Sequence, residues 1–150
     1  MKTTLKDFIY DLANDISFNL KYQCVSFDLP SYTGRLLAHY GWESKIVDPD
    51  EFVVNTLKSF INENCKNIKR GDIQEVLPCI NITFIIPIPR LLLIKMWWVS
   101  LKTRVTLSSI LHEALGYSLP YLMDLEQELE DSALNDANVD NNNIMEQNND

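Results

Sequence analysis

Glycine is scarce in this chain, with four residues in 150. A phosphate-cradling loop needs several glycines close together, so it has little material to be built from here. Histidine is scarcer still. The two, His39 and His112, lie far in sequence from the three cysteines Cys24, Cys65 and Cys79, and there is no C-x-x-C pair. That pattern argues against a zinc knuckle or a disulfide scaffold, and for free thiols in a reducing compartment. The opening stretch MKTTLKDFIYDLAND carries Asp7, Asp11 and Asp15 and lacks the apolar block of a secretory leader. No cofactor or metal site is expected, and no catalytic residue can be named.

What is present fits a globular chain. Apolar residues make up 46%, and 150 residues suit about one domain. The formal charge of -8 is unevenly distributed. From Asp124 onward there are nine acidic residues and no Lys or Arg, which leaves 12 acidic against 13 basic in residues 1–123. The body is thus close to neutral, and its 58–104 segment is a basic stretch (eight cations, three acids). A generally basic nucleic-acid binder is excluded; a locally basic face is not.

The 3.6-residue period is clearest over 4–20, where Leu5, Phe8, Ile9, Leu12, Ala13, Ile16 and Leu20 predict an amphipathic helix whose apolar face would either cover the core or meet a partner helix, a choice amphipathicity alone does not make. A short strand is expected at 22–28 and helical turns at 32–40. Asp48-Pro49-Asp50-Glu51 is the best helix start, opening a helix to about Asn64. A polar connection turning at Gly71 follows. Residues 80–86 alternate as a strand, ended by Pro87 and Pro89. The run 91–99, LLLIKMWWV, is apolar almost throughout, so period cannot assign it. It reads as a central strand returning antiparallel, with a buried helix as the runner-up and at least one of Trp97 and Trp98 in the core. Residues 106–116 predict a helix stopped by Gly116, and Ser118 and Pro120 open a last one. No repeat is legible. Residues 135–150 hold seven Asn and few large apolar residues, a composition expected to stay disordered.

The constellations that could carry chemistry are thin. His112-Glu113 lacks the second histidine of a zinc-protease helix, since position 116 is Gly. Residues 79–101 are long enough to span a membrane, but Pro87, Pro89, Arg90 and Lys95 argue against a span. Lys66, Lys69 and Arg70 form a compact basic group that could bind an anion. Leu119, Leu122, Met123, Leu125 and Leu129, just before the acidic end, could form a helix face for a partner's groove.

The sequence therefore predicts an α+β fold: amphipathic helices on a small, mostly antiparallel sheet centred on 79–101, with an all-α bundle as the alternative. Residues 1–131 are expected to form a single globular domain and 132–150 a disordered, acidic, Asn-rich tail. The expected function is non-enzymatic, a small subunit or adaptor of a protein complex in the cytoplasm or nucleus, with a protein partner. Two alternatives stand behind it. One is a nucleic-acid-associated protein using the 58–104 segment, with the tail as regulator. The other is a small enzyme with a Cys/His site.

Overall fold

A computed structural model describes residues 5–77 and 80–147, with side chains over 9–77 and 80–135. The order is α1 (Leu5–Lys21), β1 (Tyr22–Pro30), α2 (Ser31–Ala38), a π-helical stretch His39–Glu43, α3 (Pro49–Asn64), β2 (Asn81–Pro89), α4 (Arg90–Thr103) and α5 (Leu107–Gln147). Among the described residues the strands form one two-stranded antiparallel sheet, and helices pack on it in an α+β arrangement. The chain divides into two compact units, Met1–Leu115 and Gly116–Asp150.

In the first unit, β1 and β2 pair from Tyr22↔Pro89 to Pro30↔Asn81. One face of the ribbon carries Val25, Phe27, Leu29, Phe84, Ile86 and Ile88, and α2, α3 and α4 pack against β2. Phe27, Leu29, Ile86 and Ile88 are fully buried there, with Leu37, Leu57, Ile61, Leu93 and Met96. The opposite face carries Cys24, Ser26, Asp28, Thr83 and Ile85, all exposed.

The prolines do not end β2, contrary to the sequence expectation. Asp28 N–H points away from β2 and donates to Ser108 Oγ at 2.9 Å. That marks 28↔83, and every second pair, as lacking ladder hydrogen bonds. Pro87 and Pro89 fall in this phase, opposite Cys24 and Tyr22, so no inter-strand donor is lost.

Residues 91–99 are helix, not a returning strand, so β1 takes the place expected of them beside β2. The stretch is rich in Leu, Met and Lys, good helix formers, and α4 begins directly after Pro89. Arg104 ends it in the left-handed conformation (φ 61), its N–H donating to the Ser100 carbonyl. Neither tryptophan is core: Trp97 and Trp98 are exposed, and Met96 between Lys95 and Trp97 is buried.

Helix α1 does not take the core-covering alternative. Its residues from Ile9 to Lys21 are all exposed. The buried face of the ribbon is occupied by other helices, and among the described residues the apolar row of α1 stays exposed.

Helix α3 begins as the sequence indicates. Asp48 accepts from Glu51 N–H at 2.8 Å, Pro49 takes the first helical position, and Asp50 and Glu51 sit in the first turn. Burial raises the Asp50 carboxyl above its ordinary range, and neighbouring Asp48 adds to this. Asp48→Ala is expected to cost about 1 kcal/mol by urea denaturation, while Asp48→Asn retains most of the cap.

Thr106 caps α5 through Ser109 N–H at 3.2 Å. The buried Ser109 hydroxyl also accepts from Val76 N–H at 3.0 Å, which fastens the 65–77 connection to this helix. Gly116 does not stop α5, and Pro120 lies inside it. Pro120 cannot donate to the Gly116 carbonyl, so the helix loses one internal bond where the second unit begins. That unit carries α5 onward to Gln147, so the segment expected to be a tail from 132 falls within α5 as far as 147. Residues 148–150 lie outside the described residues.

The order β-α-α occurs twice, as β1-α2-α3 and β2-α4-α5. Each strand ends in a proline, Pro30 or Pro89, that also caps the next helix. The sequence shows no such repeat because only these prolines coincide.

Candidate functional site

Helix α4 is apolar on both sides. Leu92, Leu93, Met96 and Val99 are buried, while Leu91, Ile94, Trp97, Trp98 and Leu101 are exposed. Positions 91, 94, 98 and 101 have the 3-4-3 spacing that places side chains in one row along a helix. Leu91 is 78% exposed and Leu101 74%, so the row is uncovered end to end. Soluble monomers rarely leave so continuous a strip of large apolar side chains in water. The sequence reading missed this face because its residues alternate with the buried ones in a single apolar run. The spacing of 91, 94, 98 and 101 was the available signal.

Cations border the row. Lys95 is exposed, and Lys102 Nζ lies 6.0 Å from the Trp98 ring while donating to the Cys65 carbonyl at 3.2 Å. Helix α1 offers a second uncovered row in Ile9, Leu12, Ile16 and Leu20. The two helices meet at one end of the ribbon, where Arg90 donates to the Asn19 carbonyl through Nη2 at 2.8 Å and Nε at 3.1 Å.

The face expected at 119–129 is unevenly presented. Leu119 and Leu122 are buried, Leu125 is half-buried, and Met123 and Leu129 are exposed. Lys66, Lys69 and Arg70 are all exposed, on the connection after α3. Its turn is closed by Lys69 N–H on Asp72 Oδ2 at 2.7 Å, with Gly71 at φ 97, and is anchored by buried Ile68 and Ile73. A two-stranded ribbon can enter a DNA major groove. The outward face of this one carries Asp28 among Cys24, Ser26, Thr83 and Ile85, and none of these is a cation.

The histidines sit in separate places. His112 Nδ1 bonds Thr33 Oγ1 at 3.2 Å. His39 lies on the π-helical stretch, 3.3 Å from Glu43, beside a depression of about 600 Å3 lined also by Tyr32, Arg35 and Ile82. Ser44 Oγ is 3.2 Å from His39 Nε2 and 3.4 Å from Nδ1. Near-equal distances put the hydroxyl over the ring rather than in line with either lone pair, so this Ser-His-Glu group lacks the alignment of a nucleophile and its base. Cys24 is exposed and Cys65 half-buried; Cys79 lies outside the described residues.

Among the described residues, no group of three His, Cys, Asp or Glu is placed to hold a metal ion. Among them also, no helix is long and apolar enough to cross a membrane. No family model, no curated protein and no solved structure matches this chain.

Proposed function

We propose that this protein works as a small, non-enzymatic subunit of a protein complex, acting through protein–protein contacts. The observation that carries the reading is the exposed row Leu91, Ile94, Trp98 and Leu101 on α4, flanked by Trp97. Interface centres are rich in aromatic and large aliphatic side chains and poor in acids, and this face has that composition. Its tryptophans are the side chains whose truncation most often costs an interface its affinity. The α1 row adds a second contact surface of the same kind.

The test is co-purification. Tagged full-length chain, expressed beside an untagged copy, is expected to recover a stoichiometric partner, either its own copy or another protein. Trp98→Ala with Leu101→Ala should lower that recovery by at least about tenfold, since each is an exposed anchor. Recovery of the bait alone, as a monodisperse monomer, would overturn the reading.

A further inference from the structure

Two apolar rows on one chain raise the question of what covers them, and the two helices answer each other. The α1 row runs from Ile9 to Leu20 and the α4 row from Leu91 to Leu101. At 1.5 Å per residue they are about 16 Å and about 15 Å long. Each is a single row four large side chains long, all between 48% and 78% exposed. Within the rows, Ile9–Leu20 carries Asp11 and Asp15 and Leu91–Leu101 carries Lys95, with Arg90 and Lys102 just beyond the α4 row and Lys6, Asp7 and Lys21 just beyond the α1 row. Pairing α4 with α4 would set cations against cations, and α1 with α1 acids against acids. Between the rows themselves, only α1 against α4 brings opposite charges together.

The pairing cannot be made within one chain. Helix α1 runs into β1 with no connecting residue, and Arg90 holds the last turn of α1 at the Asn19 carbonyl. No linker exists in which α1 could swing over its own α4. We infer that a second copy of this chain covers both rows: α1 of each protomer lies on α4 of the other, in a two-fold symmetric homodimer.

Reciprocity uses both rows in every chain, as a closed dimer requires. Eight partly exposed side chains, at roughly 70 Å2 of apolar surface each, supply on the order of 600 Å2 per protomer. With the helix flanks and Trp97 added, this approaches the ~800 Å2 per partner of a standard stable interface. The inference rests on the complex-subunit reading and names the partner.

Sedimentation of the purified full-length chain tests it, between about 1 and about 100 μM. The expected mass is twice that of the chain. Ile16→Asp and Ile94→Asp each place a charge in one row at an exposed position, so each variant should keep the parent's far-UV circular dichroism. Each alone should weaken self-association at least about 30-fold, because both reciprocal contacts are hit. Mixed, the two variants should associate more tightly than either alone, since intact α1 of the Ile94→Asp chain meets intact α4 of the Ile16→Asp chain. A dimer built from α1–α1 and α4–α4 contacts would gain nothing on mixing, and that result would overturn the pairing. So would a parent that stays monomeric at about 100 μM, or a dimer indifferent to both substitutions. A monomeric parent that still recovers a different protein on co-purification would sink the homodimer and leave the broader reading standing.

Discussion

Phe27→Ala is expected to destabilise the chain by about 3–5 kcal/mol, the usual cost of emptying a buried aromatic site. Phe27 is fully buried and stands opposite Phe84, itself stacked on Trp42 with ring centroids 5.3 Å apart. The Phe84–Trp42 stack ties β2 to the π-helical stretch, and Phe27 fills the core beside it. The void left by Ala is lined by both strands, whose backbones are held in register by their ladder, so the site collapses poorly. A typical domain has about 5–15 kcal/mol in total, so the loss is a large fraction. At this chain length the thermal midpoint should fall by roughly 6–20 °C. A loss below about 1 kcal/mol would mean that β1 does not pack on the core as described.

Gly34→Ala is the second large effect, although Ala is the better helix former. A Cβ at position 34 would stand 2.9 Å from Ile82 Cβ and 3.2 Å from Ile82 Cδ1. The propensity gain of about 0.5–1 kcal/mol favours the substitution. The steric term opposes it at about 1–3 kcal/mol and prevails, because the nearest contact is the Cβ of a strand residue, fixed to the backbone. Helix α2 must lift from β2, and the thermal midpoint is expected to fall. Ile82→Ala removes Cγ1 and Cδ1 but keeps Cβ, so it relieves only part of the crowding. The double variant should lose less than the two single losses added together. Full additivity would show that the helix does not approach the strand this closely.

Much of the fold is legible from local chemistry. Asp48-Pro49-Asp50-Glu51 starts a helix because cap, proline and carboxylates all act within one turn. The alternation of Ile80, Ile82, Phe84 and Ile86 marks a strand for the same local reason. What misleads is what depends on partners distant in sequence. Pro87 and Pro89 look like strand breakers until the phase of the ladder against Cys24 and Tyr22 is known. LLLIKMWWV hides two faces, one buried and one exposed, and only the placement of Met96 and Val99 against the core separates them. The row on α1 is visible in the sequence, but amphipathicity does not say whether the apolar face meets its own core or another molecule. Gly116 and Pro120 look like a stop and a restart, yet α5 continues through both at the loss of one internal hydrogen bond. Lys66, Lys69 and Arg70 are exposed, as their composition suggests.

The proline phase in β2 bears on how the molecule can assemble. On its free side β2 would offer N–H groups to an incoming strand at 81, 83, 85, 87 and 89, and the last two have none to offer. On the free side of β1, the donor at Asp28 is already taken by Ser108. A third strand arriving at either edge would find gaps where it needs hydrogen bonds. Growth by strand addition is thus hindered at one end of β2 and at Asp28 on β1, while the helix faces remain open to a defined partner.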